Sequence, residues 1–436
     1  MMRSVILLAT LFVVSCKFPV PEDVGEDGAL ADAGIDAVVT CTASTTTCSS
    51  STLVVCDADG IGTVTTCGFG CAISGDRCND LDPSNGLRTY LDQSANASPL
   101  VLSGNAIIDT SAGTITDGDG TVLTVATASV PATPVEILVV TVKSFEAANV
   151  KVRGTRALAI MSDGDVTIGG VMSVSAESYV PGPGSINTLD CTAMSGFANT
   201  SGGGGSGGGG YGSAGGQGGD GGTLSGGAGG APNGNQELVP LRGGCPGAAA
   251  NGADSPDPLH RRKGQGGGAI QISARGRVRL GPGAFIAANG GGAKSYTGTP
   301  LYVCSVSGPL TCHNGSGGGS GGAILIEASS IEVPATAGLV ANGGAGHCSS
   351  HGQDPDGQLG EGIVAGTDCS DWTGVGNGGN GAAAATDATG GGNATNGGGG
   401  GGGVGRIRIN LPSGATFDGV TPIVSPSPSV GSVALR

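Results

Sequence analysis

A gap-free internal repeat of short apolar doublets constrains the fold of this chain more than any other feature. Two copies lie 112 positions apart, as the pair Leu158 and Ile270 shows, and the offset holds through three doublets. The first copy contains Leu158, Ile160, Val166, Ile168, Val174 and Ala176, and the second contains Ile270, Ile272, Val278, Leu280, Ile286 and Ala288. A constant offset over so many positions indicates one structural unit used twice.

The same unit occurs twice more. A third copy contains Ile324, Ile326, Ile331, Val333, Leu339 and Ala341, offset from the second by 54 positions and then by 53. One residue is therefore lost between its first and second doublets. A looser fourth copy begins in the run Gly405–Ile409 and weakens through Phe417 and Ile423.

Each doublet has the alternating pattern of a short strand with one buried face. Three such strands in about 20 residues are typical of one coil of a parallel β-helix. Asn289 and Asn342 fall at the same corner, each followed by Gly-Gly, which predicts a turn with left-handed backbone angles. We predict an all-β fold, a right-handed parallel β-helix with glycine-rich loop insertions. A β-sandwich is the alternative, but the equal offsets after long insertions favour a solenoid.

Glycine tracts separate the copies, notably Ser201–Gly222, where 15 of 22 residues are Gly, and Gly390–Gly405. The 90 glycines have no strict every-third-residue period, which excludes collagen. Ordering glycine costs backbone entropy. Two alternatives stay open: the tracts are mobile, or they pack as extended polyglycine strands that share backbone hydrogen bonds.

The N-terminus resembles a lipoprotein signal. The apolar stretch Val5–Val14 is about half the roughly 20 residues that a membrane span needs, and Val13-Val14-Ser15-Cys16 looks like a bacterial lipobox. We expect residues 1–15 to be the signal peptide, Cys16 to carry lipid, and residues 16–40 to be an acidic flexible tether.

The remaining cysteines predict disulfides. Removing Cys16 from the 13 cysteines leaves an even number, which suits an oxidising compartment. Residues 41–80 form a six-cysteine block with 15 possible connectivities, and residues 81–436 form the glycine-rich domain. The block contains Cys41, Cys48, Cys56, Cys67, Cys71 and Cys78. In the second domain we expect neighbours to pair, which gives Cys191 with Cys245, Cys304 with Cys312, and Cys348 with Cys369.

No catalytic, metal or cofactor site is predicted. The G-x-S-x-G matches around Ser206 and Ser320 are expected by chance in a glycine-rich sequence. A catalytic serine in this motif is followed by a helix, and the sequence shows no helix signal there. His347-Cys348-Ser-Ser-His351 lacks an evident fourth metal ligand, and Gly215–Asp220 resembles only part of a calcium-binding β-roll repeat.

The nearest carboxylate pairs for a polysaccharide-active enzyme are Asp163 with Asp165 and Asp368 with Asp371, and the first flanks a glycine where a turn role suffices. Aromatic residues make up 3% of the chain, which leaves few stacking platforms for sugars. The net charge of −15 argues against a nucleic-acid partner.

The combination of lipobox, acidic tether, cysteine block and repeated G-G-A-I-x-I with A-N-G-G resembles the glycine-rich lipoproteins of fruiting, gliding Gram-negative bacteria. The runs Gly317–Ile326 and Gly402–Ile409 carry that resemblance. It implies an envelope or surface role without an established activity, and Lys17 after the anchor implies the outer membrane, facing the periplasm or the cell surface. We expect a non-enzymatic protein with a structural, adhesive or matrix-contact role, whose partners are the membrane and extracellular polysaccharide or other surface components. A polysaccharide-active lyase or glycosidase is the alternative.

Overall fold

The computed structural model describes residues 39–186, 190–194, 196, 198–199, 202–250, 263–294, 314–348, 355–369, 374–415, 417 and 422–436. Over these residues the regular structure is almost entirely β, which confirms that the fold is all-β. A 3₁₀ turn at Ser84–Gly86 and the helix α1 at Arg88–Ser94 are the helical elements of this part of the chain. Neither is long and apolar enough to cross a bilayer.

The N-terminal cysteine block is a small antiparallel sheet of four strands in the order β1-β4-β3-β2. Its strands are β1 (Val39–Thr40), β2 (Thr46–Ser49), β3 (Thr52–Cys56) and β4 (Ile61–Thr66). Most of its Thr and Ser side chains are exposed, so hydrophobic burial alone cannot stabilise a unit of this size. Three disulfides hold the block together, and the buried ring of Phe69 packs against the larger domain.

The larger domain contains the remaining strands. They are β5 (Leu81–Asp82), β6 (Leu100–Asp109), β7 (Thr114–Thr116), β8 (Val122–Leu123), β9 (Ala126–Val130), β10 (Ile137–Val142), β11 (Phe145–Arg153), β12 (Ala157–Ser162), β13 (Val166–Ile168), β14 (Val171–Ser173), β15 (Ala198–Asn199), β16 (Gly202–Gly203), β17 (Ala269–Leu280), β18 (Phe285–Ala287), β19 (Ala323–Glu332), β20 (Gly338–Val340), β21 (Arg406–Leu411), β22 (Ile423–Ser425), β23 (Ser429–Ser432) and β24 (Ala434–Leu435).

Three columns of parallel strand pairs form the core of this domain. In the first column β10, β12, β17, β19 and β21 pair in this order. In the second, β6, β11, β13 and the later parts of β17 and β19 pair. In the third, β11, β14, β18, β20 and β22 pair. The inward side chains of all three columns form one buried aliphatic cluster, which stabilises the stack through removal of apolar surface from water.

Residues that the sequence repeat aligns with one another are paired across neighbouring strands of these columns. Leu158 pairs with Ile270, and Ile270 pairs with Ile324, so repeat copies are hydrogen-bonded neighbours. The residue lost between the second and third copies appears as a register shift between Ala274 and Arg277. In the fourth copy Val424, rather than Ile423, lies opposite Leu339.

The strands β10 and β11 precede the first repeat copy and do not share its offset. Leu138 pairs with Leu158, Phe145 with Val166, and Val150 with Met172. These three offsets differ by one residue from one pair to the next, so no single shift aligns these strands with the first copy.

The glycine tracts pack as extended segments joined by backbone hydrogen bonds, which is the second of the two alternatives above. Between the segments 203–212 and 314–322, Ser206 N donates to Gly315 O at 2.9 Å and Gly209 N donates to Gly318 O at 2.8 Å. The segment 396–405 bonds to both of the others with the same three-residue step. A step of three residues is the repeat of the polyproline II conformation, which leaves every backbone group free to bond to a neighbour. We call these three segments, with the glycine segments packed on them, the glycine bundle.

Candidate functional site

A buried carboxylate lies on the outward side of the first column. Glu327 on β19 is 1% exposed. Its Oε2 accepts hydrogen bonds from Ser84 N at 3.0 Å, Gln271 Nε2 at 3.0 Å and Ser273 Oγ at 2.9 Å, and its Oε1 accepts from Ser84 Oγ at 2.7 Å and Asn410 Nδ2 at 3.2 Å. All five donors are neutral. Burial of a charge is tolerated only with such complete hydrogen bonding.

This arrangement attaches the segment around the 3₁₀ turn to the sheet. Ser84 supplies two of the five hydrogen bonds, and Ser273, Glu327 and Asn410 occupy equivalent positions on three adjacent strands. The carboxylate has no free coordination for a ligand, so its role is to hold the turn. The polar residues at these equivalent repeat positions are the signal in the sequence that could have revealed it.

An ion-pair cluster around Arg275 continues the same attachment. The Arg275 guanidinium bonds to Asp80 Oδ1 at 2.8 Å, Asp92 Oδ1 at 2.9 Å and Asp163 Oδ1 at 2.9 Å, and Arg88 also pairs with Asp80. Burial tends to raise the pKa of Asp80, but the hydrogen bonds from Arg275 and Arg88 outweigh it and lower the pKa below its usual value. The cluster therefore joins the segment before β6 to the corner between β12 and β13.

Asp163 and Asp165, the first of the two carboxylate pairs in the sequence, form ion pairs with Lys and Arg side chains. Asp163 is ion-paired with Lys143 and Arg275. Burial tends to raise its pKa, but these two partners lower it. Asp165 accepts from Arg277 Nε at 3.0 Å and from the Arg277 backbone N–H at 3.0 Å. Both carboxylates thus stabilise the corner, and neither faces a groove as a free acid or base. Asp371, the second member of the other pair, lies outside the described residues.

The two G-x-S-x-G serines are buried structural groups of the glycine bundle. Ser206 Oγ donates to Ala249 O at 2.8 Å, and Ser320 Oγ accepts from Cys245 N at 2.9 Å. Both side chains are 0% exposed. A serine hydroxyl committed to backbone groups and closed off from solvent cannot reach a substrate.

The cysteines of the first block pair as Cys41–Cys56, Cys48–Cys71 and Cys67–Cys78, one of the 15 connectivities left open. The sulfurs of Cys48, Cys67 and Cys71 lie within 4.8 Å of one another, as metal ligands would. All three belong to disulfides, so no thiolate is present there to bind a metal.

The later cysteines join loops of the glycine-rich domain. Cys191 pairs with Cys245, and Cys348 pairs with Cys369. His347 beside the second bridge is buried. Cys16, Cys304, Cys312 and His351 lie outside the described residues.

The corner asparagines form a hydrogen-bonded ladder. Asn289 Oδ1 accepts from Asn342 N at 2.8 Å, and Asn342 Oδ1 accepts from the hydroxyl of Ser425 on the next coil. Neither asparagine has a positive φ angle, so the prediction of left-handed backbone angles at this corner is wrong. The asparagine side chains instead form hydrogen bonds to the neighbouring repeat copy.

Backbone atoms occupy the space that side chains would need in the glycine bundle. A Cβ atom on Gly400 would lie 2.0 Å from Gly216 O, and one on Gly402 would lie 1.9 Å from Gly319 O. Close-packed peptide groups therefore fill most of the bundle.

No protein-family model, curated protein or solved structure matches the chain.

Proposed function

We propose that this chain is an exported, non-enzymatic lipoprotein of the cell envelope with a structural, adhesive or matrix-contact role. Its larger domain is a right-handed parallel β-helix in this proposal. The three parallel columns support a helical path, since the chain passes through all three from β12 to β14, from β17 to β18 and from β19 to β20, and parallel strands joined by crossover connections are right-handed in nearly all proteins.

The ion pairs formed by Asp163 and Asp165 are the observation that carries the non-enzymatic proposal. Glycoside hydrolysis requires two carboxyl groups that face the substrate, one of which acts as an acid. Asp163 and Asp165 are instead bonded to Lys143, Arg275 and Arg277. The glycine bundle adds a rigid, chemically inert layer, which suits a scaffold.

The location of the protein rests on the sequence. The lipobox-like run that ends at Cys16 and the even number of cysteines after it support export and lipid attachment. Disulfides in the described part of the chain agree with an oxidising compartment. The acidic residues up to position 40 would hold the folded part away from the membrane surface.

Two measurements test this proposal. The full chain, expressed with its own N-terminus, should partition into a detergent phase, while the Cys16→Ser variant should remain in the aqueous phase. The detergent-extracted protein should then be presented to a panel of polysaccharides, with retention and release of reducing ends both scored. Retention without release supports an adhesive role. Protein-dependent release of reducing ends would overturn the non-enzymatic proposal in favour of a lyase or glycosidase.

A further inference from the structure

Arg406 and Arg408 differ from the arginines of the other repeat strands, which are paired with carboxylates. Arg275 bonds to three carboxylates, and Arg277 bonds to two. Arg406 and Arg408 lie two residues apart on β21, on the outward side of the last coils. Neither makes an ion pair with any carboxylate of the described residues. Because no described carboxylate neutralises them, the two guanidinium groups can attract an anionic group from outside the fold.

The guanidinium of Arg406 is held in a fixed orientation. Its Nε donates to Asn233 O at 3.2 Å, and its Nη2 donates to Asn233 O at 3.0 Å and to Tyr211 O at 3.3 Å. The group also stacks over the buried ring of Tyr211, 5.6 Å from its centroid. Within the described part of the chain, Nη1 donates to no acceptor. The orientation of the guanidinium is therefore fixed, and Nη1 remains able to donate.

A cleft lies beside this arginine. It has a volume of about 190 Å³, and its lining includes Gln236, Gly405, Arg406, Pro426, Ser427 and Ser429. The Ser429 hydroxyl is already committed to Gln236 O and Ile407 O. Ser427 and Gln236 are exposed, so their side chains can supply neutral donors. None of the described residues that line the cleft carries a carboxylate.

We propose that this cleft binds an oxyanion group, a carboxylate or sulfate, through the guanidinium of Arg406 and the hydroxyl of Ser427. The uncommitted Nη1 of Arg406 can donate a charge-assisted hydrogen bond to such a group, and partial burial strengthens the attraction because less water screens it. The volume accommodates one small anionic group and its immediate attachment. The group can come from a free small acid or from an acidic polysaccharide.

Titration calorimetry at low salt and pH 7 tests this assignment on the full-length protein. The ligands are sodium sulfate, sodium glucuronate and polygalacturonate, the last compared at equal carboxylate concentration. We expect saturable binding of the small anions with a dissociation constant of about 1 mM, which is typical of a single charged contact of this kind. Polygalacturonate binding at least about tenfold tighter per carboxylate identifies the polymer as the source, and equal affinity identifies the free acid.

Three variants identify the residues. Arg406→Gln should weaken binding at least about tenfold, as expected for loss of a charge-assisted hydrogen bond. Ser427→Asp places a competing carboxylate in the cleft without removing the arginine, so it should weaken binding equally even if Arg406→Gln impairs folding. Arg277→Gln removes an exposed, paired arginine elsewhere and should leave binding within about twofold.

Absence of saturable anion binding in the unsubstituted protein would overturn the proposal. So would binding that survives unchanged in both Arg406→Gln and Ser427→Asp. Neither result bears on lipid attachment at Cys16 or on reducing-end release, so failure here is distinguishable from failure of the proposed envelope role.

Discussion

The backbone N–H of Gly318 donates to the carbonyl oxygen of Gly400 at 2.9 Å, although the two residues belong to different glycine tracts. The next residues to bond along these segments are three positions further on, where Gly321 N donates to Gly403 O at 3.0 Å. Tracts that have no side chains to pack are thus fixed by their peptide groups. Their stability depends on how closely the backbones approach, which a single methyl group can disturb.

The first prediction concerns this close approach. Gly400→Ala should lower the free energy of unfolding by about 1–3 kcal/mol, because the added Cβ would lie 2.0 Å from Gly216 O and neither backbone can move without breaking hydrogen bonds. Urea denaturation monitored by circular dichroism measures the change. Gly362→Ala is the matched control, since nothing lies within 4 Å of its added Cβ. Equal stability of the two variants would contradict the close packing described here.

The second prediction concerns the buried carboxylate of Glu327. In Glu327→Gln one oxygen acceptor becomes an NH₂ group that faces donors such as Ser84 and Asn410. Leaving buried donors without acceptors should cost on the order of 3 kcal/mol of unfolding free energy. Glu332→Gln, on the same strand but with an exposed side chain, should cost less than about 0.5 kcal/mol. A Glu327→Gln protein as stable as Glu332→Gln would show that the carboxylate does not hold the turn.

The third prediction concerns acid stability. The pKa values of Asp80 and Asp163 are lowered in the folded protein, since Arg88, Lys143 and Arg275 outweigh the effect of burial. A lowered folded-state pKa contributes stability that is fully present above the unfolded value of about 3.9 and is lost as the pH falls through the folded value. The unfolding free energy should therefore decline below about pH 4. Arg275→Gln should make this decline shallower and lower the stability at neutral pH.

Equilibrium urea unfolding at a series of pH values between 2 and 7, chosen as roughly one-unit steps across the titration range of carboxyl groups, tests this expectation. Arg277→Gln serves as the control, because its guanidinium and that of its partner Asp165 are about half exposed. A pH dependence identical in the Arg275→Gln and unsubstituted proteins would exclude the cluster as its source.

The fourth prediction concerns Asp356, a carboxyl group whose pKa is raised rather than lowered. Burial raises the pKa of Asp356, with the charge of Glu177 adding to the effect, although Oδ1 accepts from Ser178 N at 2.8 Å and Gly292 N at 2.7 Å. A carboxyl group with a raised folded-state pKa contributes most to the free energy of unfolding below its unfolded pKa, and this contribution is lost as the pH rises through the folded value. Asp356→Asn keeps the accepting oxygen and removes the charge. It should stabilise the protein at pH 7 by a few tenths of a kcal/mol, since water still reaches the half-buried group.

Asp356→Ala provides the comparison, because it removes the charge and the acceptor together. This variant should be destabilised by about 1 kcal/mol, since two backbone N–H groups lose their partner. Thermal unfolding at pH 7 ranks the three proteins. A less stable Asp356→Asn protein would mean that the ionised carboxylate is favoured at this position.

The sequence by itself determined the strands of the repeat copies and the register in which they pair. Apolar doublets at equal offsets, such as Leu158 and Ile270, must be neighbours when every coil buries the same positions, because a one-residue slip would expose them. The same reasoning missed the coil that contains Leu138, since its turns differ in length from those of the next coil. Local pattern specifies register only where the spacing is conserved between coils.

Tertiary structure alone decided what the glycine tracts and the polar residues do. A glycine has no side chain from which a partner could be read, so the pairing of Gly318 with Gly400 depends on where the surrounding coils place the two backbones. Likewise, Glu327 and Arg406 appear in the sequence as ordinary polar residues between apolar ones. The folding of the turn at Ser84 over the sheet buries the first, and the positions of Asn233 and Tyr211 fix the second. Hydrogen bonds and ion pairs between distant segments require the folded coordinates, whereas burial periodicity is already present in the chain.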